Sequence, residues 1–431
     1  MRRSLIAGVA LAALLLASAA QGEQQAAIAP PAAMAAPDRA GSVLNLPDAL
    51  ALAGTDQPRI EAYGREAQAS EEAAVTARSL PDPQVTAGIQ NFPITGENAF
   101  SPTEDFMTMY TIGIMREQVR RSKREAAAQK ILAEALVSKK QASAEERHIR
   151  REVMVAWINA VEARAKQKLL ARIISDLATG RKVMEAGVPT GGSTPALVLQ
   201  ADAEVAIEQA QLADGERAER RARSELARWI GPAAYRPLPD AIPDLEVPLG
   251  MVPPIDTHPE VEVALAQQQV AEREVEVASQ SRKWDPTWSV MLGVRPKYGE
   301  MVTATVSIPL QINRRNKQDR LVAEARLRAD AAALRAEDAR RALSEKYRSA
   351  VADYEGANAE LARLDKDAIP ALEGAFKAAE ARYEGGGGGT LEQPFAIVRR
   401  YVEVHIQSVE AQARRARAAA EILHVHGETH Q

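Results

Sequence analysis

Two groups of side chains in this sequence could bind soft metal ions. The first is a C-terminal set of imidazoles, which bind divalent cations: His424, His426 and His430. The second is a set of thioethers in or next to short alternating segments, which suit Cu(I) or Ag(I): Met107, Met109, Met115, Met291 and Met301. A flexible C-terminal tail has no neighbouring groups to orient the imidazoles toward a metal ion. Methionine is also common as adaptable packing. The sequence therefore predicts no firm metal site, with Met107, Met109 and the three histidines as candidates.

Residue patterns for covalent or cofactor chemistry are missing from the sequence. No nucleophile–base pair and no dinucleotide-binding fingerprint is visible. The glycine-rich segment 187–194 has no lysine and follows a helical pattern, whereas a phosphate-binding loop carries a lysine and follows a strand. We therefore expect neither an enzyme nor a cofactor.

Composition favours long helices over a compact mixed domain. Among the 431 residues, aromatic residues are only 4%, and arginine alternates with glutamate and aspartate. This alternation indicates solvated helix faces, and the net charge of −4 argues against nucleic acid as a partner. The absence of cysteine excludes disulfides, thiolate metal sites and a lipid-modified N-terminal cysteine.

The N-terminus has the pattern of an export signal. Residues 1–3 are positively charged at two positions, residues 5–16 are apolar, and residues 17–19 are small. We expect a signal peptide over 1–20 and an Ala/Pro-rich disordered linker over 21–44. No later segment offers eighteen apolar residues in a row, so we expect no membrane-spanning helix, and any membrane insertion would use strands.

One pattern of elements occurs twice in the chain: helix, strand, strand, long helix, turn, helix. Its landmarks are an Asp-Pro pair before the strands, a basic quartet after them, and a glycine-rich break in the helical run. The pairs are Asp82-Pro83 and Asp285-Pro286, the quartets are 120–123 and 314–317, and the breaks are 187–192 and 385–389. The repeats predict two halves, 45–245 and 246–431, the second with the histidine-containing tail.

Four short segments alternate with a period of two, which is typical of strands. In the second half they cover Thr287–Val294 and Met301–Leu310, and the first half repeats them more weakly. Such strands could be membrane strands with one face toward lipid and one toward a water-filled lumen, or two hairpins packed on helices in a soluble domain. The membrane interpretation makes the small and polar positions lumen-facing: Thr86, Gln90, Thr111, Ser289, Thr303, Thr305 and Ser307. Because four strands cannot close a barrel, it also requires several copies of the chain.

Residues 123–180 and 317–383 are helix formers almost throughout. Sixty helical residues extend about 90 Å. Each run ends in glycine and returns in a shorter helix, over 195–229 and 394–426, so two helical hairpins with apolar seams are expected. A generic periplasmic coiled coil has the same hairpins, but it does not explain why they follow directly on amphipathic strands twice.

The order of these features resembles the TolC family of outer-membrane efflux proteins. The resemblance covers residues 45–426 and rests on the duplication, the Asp-Pro pairs, the basic quartets and Tyr383-x-Gly385 at the second break. It implies a mainly α-helical fold, in which coiled-coil hairpins form a periplasmic tunnel and four strands per chain join a trimeric twelve-stranded barrel. The segments 80–83, 90–93 and 105–109 are most similar to the heavy-metal branch of the CzcC and CusC type.

The resemblance also implies roles for the two glycine-rich breaks. They become the periplasmic tips that dock an adaptor, with candidates Gly187, Pro189, Thr190, Gly191, Gly385, Gly389 and Thr390. Tyr383 and Glu392 become aperture residues, since an acidic residue follows the second turn in the family and a threefold carboxylate ring attracts cations. The chain departs from the family by having glycine where a basic residue often stands in this turn, and from many members of the branch by lacking a cysteine for lipid attachment.

The sequence thus predicts a passive outer-membrane exit duct of a tripartite efflux pump in a Gram-negative bacterium, exporting heavy-metal cations. Its expected partners are two further copies of the chain, a periplasmic adaptor (membrane fusion protein), an inner-membrane RND-type pump and outer-membrane lipid. The alternatives are a soluble periplasmic coiled-coil adaptor or scaffold, and a TolC-type channel for organic compounds or for type I secretion.

Overall fold

The computed structural model describes residues 42–189, 191–384 and 392–427, without the side chains of residues 380, 382–384 and 392–395. The predicted signal peptide, most of the linker over 21–44, and His430 lie outside the described residues. Residues from Ser42 onward form one compact unit.

Eight helices make up most of the described chain. In chain order they are α1 (Leu46–Ala53), α2 (Pro58–Arg78), α3 (Arg121–Gly187), α4 (Pro195–Ile230), α5 (Pro259–Gln280), α6 (Gln318–Arg363), α7 (Ile369–Glu384) and α8 (Glu392–His426). Short 3₁₀ turns cover Gly231–Tyr235 and Ile255–Thr257. None of these described helices combines the length and the apolar character that a membrane crossing requires.

Four strands form a single antiparallel sheet: β1 (Gln84–Gln90), β2 (Met109–Glu117), β3 (Thr287–Val294) and β4 (Met301–Ser307). Their order in the sheet is β1-β2-β3-β4, so the strands of the two halves meet at the central β2–β3 pair. The predicted fold class, mainly helical with long helices and four strands, is confirmed. The bounds of β3 agree with the alternating segment Thr287–Val294. Strand β4 was expected to reach Leu310 but ends at Ser307, because its hydrogen-bonded ladder with β3 ends there.

The best-packed core surrounds the middle of α3. Trp157 is almost fully buried, and its indole N–H donates to the carbonyl of Leu44 over 3.0 Å. The surrounding buried residues come from α1, α3, α4, α8 and the chain after α4, and many are alanines. Alanine at these contacts lets helices approach closely, which suits thin helical layers. Helix α3 therefore connects the first half to the last helix of the second half.

The second long helical run is interrupted where one helix was expected. Residues Leu364–Ala368 form a π-helical turn between α6 and α7, and Pro370 follows within the first turn of α7. The Ser408 hydroxyl on α8 donates to the Asp365 carboxylate over 2.9 Å at this turn. A proline ring displaces the carbonyl of the preceding turn, and a π turn absorbs that displacement without ending the helix.

Candidate functional site

The sheet has two chemically different faces. Because neighbouring residues in a strand point to opposite sides, the register fixes which residues share a face. The polar face carries Gln84, Thr86, Gly88, Gln90, Met109, Thr111, Gly113, Met115, Glu117, Thr287, Ser289, Met291, Gly293, Met301, Thr303, Thr305 and Ser307. All seven residues that the sequence assigned to a lumen lie on this face. That the face lines a lumen stays a prediction.

The opposite, apolar face is rich in branched side chains. It carries Val85, Ala87, Ile89, Tyr110, Ile112, Ile114, Trp288, Val290, Leu292, Val294, Val302, Ala304 and Val306, with Arg116 as its charged member. Val302 is 71% exposed and Val306 is 66% exposed in the single chain. Contiguous apolar surface of this kind marks contact with lipid or protein, so this face is built for an apolar environment.

Both outer strands of the sheet have an edge with no partner strand among the described residues. Within that part of the chain β1 pairs with β2 alone, and β4 with β3 alone. The outward N–H and C=O groups of an edge strand are ready to pair with another strand, and lipid does not tolerate them unpaired. In an apolar environment these two edges therefore require strands from other chains.

Two glycines let methionine side chains lie flat on the polar face. A Cβ atom at Gly293 would stand 2.7 Å from Sδ of Met109, and one at Gly113 would stand 3.1 Å from Cβ of Met291. Glycine therefore leaves room for the thioether of Met109 to cross the strand. Met107 lies in the loop before β2, about half exposed, where its N–H donates to Asp105 over 2.7 Å. The structure thus places Met109 and Met291 on one face and Met107 outside the sheet.

A polar clasp joins the two halves where sheet and helices meet. The buried carboxylate of Asp285 accepts from the backbone N–H of Arg120 over 2.9 Å and from Nζ of Lys123 over 2.7 Å. The Arg120 guanidinium lies 4.7 Å from the ring centroid of Trp284. These contacts fix the start of α3 directly beside the start of β3. Sequence reasoning singled out both the Asp-Pro pair and the basic quartet but did not pair them, since they are far apart in the chain.

The first glycine-rich break is a tight hairpin turn between α3 and α4. The Gly192 N–H donates to the Gly187 carbonyl over 3.0 Å, and Gly191 has φ +77°, a conformation that glycine adopts without strain. Thr194 then caps α4 by accepting from Leu197 N–H over 3.3 Å. Pro189 lies in this turn, and Thr190 lies outside the described residues. The turn is the end of the first hairpin, as the sequence predicts.

The second break contains candidates that the structure does not describe. Gly385, Gly389 and Thr390 lie outside the described residues. Tyr383 belongs to the last turn of α7 and Glu392 is the first residue of α8, but neither side chain is among those described. Their aperture role stays a prediction.

A buried polar cluster joins the start of α5 to the end of α8. His258 is fully buried, and its Nδ1 accepts from the Glu260 N–H over 3.2 Å while its Nε2 lies 3.2 Å from the His424 carbonyl. Nε2 of His424 lies 3.1 Å from the Glu260 carboxylate. His426 lies at the end of the same helix, with Nε2 3.3 Å from the Tyr347 hydroxyl. Two of the three candidate metal-binding histidines are thus parts of α8 with partners of their own.

Burial sets the proton affinities in this cluster. Loss of water lowers the pKa of His258 to about 4, and the opposing hydrogen bond to the His424 carbonyl offsets only part of this effect. The hydrogen bond from His424 and the charge of Lys346 lower the pKa of Glu260 to about 2. No group of three or more His, Asp or Glu side chains among the described residues is arranged to hold a metal ion. The cluster therefore ties two helices together through a neutral His258.

Comparison with known proteins finds relatives by structure. No protein-family model and no curated protein sequence matches the chain. Among 23 matching chains of known structure, the outer membrane protein VceC from Vibrio cholerae has a TM-score of 0.71 at 18% identity, covering 89% of this chain and 96% of VceC. The CmeC outer membrane channel of Campylobacter jejuni has a TM-score of 0.74 at 12% identity over 89% of this chain and 85% of CmeC. CusC has a TM-score of 0.75 at 13% identity, covering 94% of this chain and 96% of CusC.

These likenesses define the class of the fold. The chain is similar over nearly its whole described length to outer-membrane channels, and it has the TolC-type channel fold. The matched structures are channels, in keeping with the prediction of a protein without enzymatic chemistry. These likenesses are to the fold alone and do not distinguish between cargoes.

Proposed function

We propose that the chain is one protomer of an outer-membrane channel, the passive exit duct of a tripartite efflux pump. The observation that carries the proposal is the sheet, which has an exposed apolar face, an opposed polar face and two open edges. Such a sheet is stable in a bilayer only when copies close it into a ring. Helix α3 follows β2 and helix α6 follows β4 in the chain, and both would extend a duct into the periplasm.

The assembly we propose is a homotrimer in which three sheets form one twelve-stranded barrel. The hairpin turns would then meet the partners at the periplasmic end, a periplasmic adaptor and an inner-membrane RND-type pump. The described part of this docking surface would be Gly187, Pro189 and Gly191, and the break at 385–389 would be its counterpart. Tyr383 and Glu392 would line the aperture, where three carboxylates attract cations.

Conductance in a planar lipid bilayer tests the channel function. Purified protein in detergent is expected to insert and give stepwise, long-lived conductances, because a closed barrel with a polar face holds water. Protein dissociated by heating serves as the control. A protein that fractionates without detergent and never conducts would support the soluble adaptor or scaffold instead.

We further propose that the cargo is heavy-metal cations. The support is the resemblance of segments 80–83, 90–93 and 105–109 to the CzcC and CusC branch, together with the thioethers of Met109 and Met291 on the polar face. Deleting the gene in its native host is expected to increase sensitivity to copper, silver, zinc or cadmium salts. Sensitivity to organic drugs alone, or a defect in polypeptide secretion, would favour the alternative cargoes.

A further inference from the structure

The clasp at Asp285 occurs once among the described residues, although the sequence contains both of its parts, an Asp-Pro pair and a basic quartet, twice. In the first half, the basic quartet 120–123 follows β2 and meets the Asp285-Pro286 pair that precedes β3. The Gln118 N–H also donates to the Pro286 carbonyl over 2.8 Å. The contact therefore joins the end of one hairpin to the start of the next hairpin in the sheet.

The duplicated chain contains the same two parts a second time, at the opposite edges of the sheet. The quartet 314–317 follows β4, and the Asp82-Pro83 pair precedes β1. Asp82 stands two residues before β1, as Asp285 stands two residues before β3. Among the described residues, Asp82 and Nζ of Lys317 form no ion pair, and both residues are exposed. The acid and the base of a second clasp are thus both present in the chain, but they lie at opposite edges of the sheet and do not meet.

The starts of α3 and α6 differ in the carboxylate that lies beside them. Helix α3 begins at Arg121, immediately after Arg120, whose N–H donates to Asp285. Helix α6 begins at Gln318, four residues after the equivalent Arg314, and no side chain caps it. A carboxylate at a helix start satisfies free N–H groups and favours the positive end of the helix dipole. In the second quartet the Arg314 side chain lies 3.7 Å from Asp319 of α6, but among the described residues no carboxylate accepts from the Arg314 N–H or from the Lys317 ammonium.

The chain after β4 also has the character of an unpaired strand. Alternation continues through Leu310, although the ladder with β3 ends at Ser307. Ile308 is 46% exposed and Leu310 is 79% exposed. An apolar alternating segment at an open edge is suited to pairing with another strand.

We propose that Asp82 of one protomer accepts from the Arg314 N–H and the Lys317 ammonium of the neighbouring copy, as Asp285 accepts from Arg120 and Lys123 within the chain. The inference rests on the proposed closure of the sheet by copies, which brings β4 of one protomer beside β1 of the next. The cation–π contact has no counterpart, since Pro81 stands where Trp284 stands in the second half.

Charge reversal tests this inter-subunit clasp. Asp82→Lys and Lys317→Asp are each expected to reduce the fraction of purified trimer, in detergent at fixed protein concentration, by about tenfold or more, because three contacts are lost at once. The double variant Asp82→Lys/Lys317→Asp restores opposite charges at every interface and should recover most of the trimer. Arg315→Asp is the matched control, since the equivalent Arg121 makes no ion pair with the described residues.

Crosslinking gives a second measurement that is independent of stability. The chain has no cysteine, so Asp82→Cys/Lys317→Cys contains the only two thiols. A short thiol-specific crosslinker should link subunits into covalent dimers and trimers, whereas either single variant should remain monomeric on a denaturing gel. Single charge reversals that assemble like the wild type, with no crosslinks, would overturn the clasp while leaving the trimer intact. A wild-type protein that is monomeric in detergent would overturn the proposed assembly itself.

Discussion

At the residue scale, His258 is the most strongly perturbed histidine of the described chain. It sits at the N-cap of α5 and bonds to both Glu260 and the backbone of α8. Burial keeps the ring neutral, because the loss of water outweighs the stabilisation that the Glu260 carboxylate gives the charged form. Protonation of His258 must therefore loosen the junction between α5 and α8.

The first prediction concerns acid sensitivity of that junction. The pKa of His258 is about 4 in the folded chain, below its ordinary value of 6.5. The unfolded chain then binds a proton first, so the stabilising contribution is complete above pH 6.5 and is lost as pH falls toward 4. We expect the thermal midpoint of the wild type to fall over this window, and to fall less in His258→Asn. Asparagine keeps an N-cap acceptor but does not titrate.

His148→Asn is the control for this experiment, since His148 has no hydrogen bond to the described residues. It should retain the wild-type pH profile. Below pH 4.5 the Glu260 carboxylate adds a second loss, because its pKa is about 2 in the folded chain against an ordinary 4.5. Identical profiles for His258→Asn and the wild type between pH 6.5 and 4 would show that His258 does not govern the transition.

The second prediction concerns Glu392 and follows from the proposed aperture. Three carboxylates around a narrow axis attract cations and raise one another's proton affinity. We expect wild-type channels in planar bilayers to prefer cations, and Glu392→Gln to weaken that preference while the trimer stays assembled. Glu403→Gln, farther along α8, is a control. Unchanged selectivity in an assembled Glu392→Gln trimer would leave Glu392 as a favourable acid in the first turn of α8.

At the scale of elements, the strands determine which substitutions the protein tolerates. Val306 lies on the apolar face and Ser307, its neighbour, on the polar face of β4. The two positions differ in environment but hardly in backbone location. Comparing the same substitution at Val306 and at Ser307 therefore separates the effect of the face from a general disturbance of the strand.

The third prediction uses this pair of neighbours. Val306→Arg is expected to impair assembly in the membrane, since a charge facing lipid costs up to about 2–4 kcal/mol at the bilayer centre, and less at the end of a strand, where Val306 lies. Ser307→Arg should assemble nearly as well as the wild type, because water can solvate the guanidinium. The measurement is the yield of trimer extracted from the membrane fraction. Equal yields for the two variants would show that the faces or the membrane location are assigned wrongly.

At the scale of the whole molecule, the single chain is incomplete as a membrane structure. The open edges of β1 and β4 and the exposed apolar face belong to one sheet. Copies that close the sheet would pair the edges, and lipid would cover the apolar face. The helical hairpins provide a second layer of contacts, since apolar seams along α3 and α6 pack against neighbouring helices.

The fourth prediction is the oligomeric state. Light scattering of the purified protein in detergent should give the mass of three chains, and circular dichroism should show mainly helix with a smaller strand contribution. A twelve-stranded ring is large enough to hold a water-filled lumen, whereas four strands are not. A stable monomer in mild detergent would contradict the trimer and, with it, the closure of the sheet.

The sequence by itself determined the elements and their order. Period-two alternation located β3 to the residue, and the glycine-rich break with Thr194 and Pro195 located the first hairpin turn. These features are local, since helix caps, turns and strand faces depend on residues only a few positions apart. The duplication gave the order of elements because both halves repeat the same local signals.

Only the tertiary structure decided which distant residues meet. No local pattern pairs Lys123 with Asp285, or His258 with His424, because such pairs depend on how distant strands and helices are brought together. The π turn at Leu364–Ala368 was not predicted because its own residues are ordinary helix formers, although Pro370 follows it closely. The sequence alone indicated that His424 and His426 lie in a C-terminal tail. In the structure they belong to α8, and His424 is buried where α8 packs against the start of α5, a contact between distant parts of the chain.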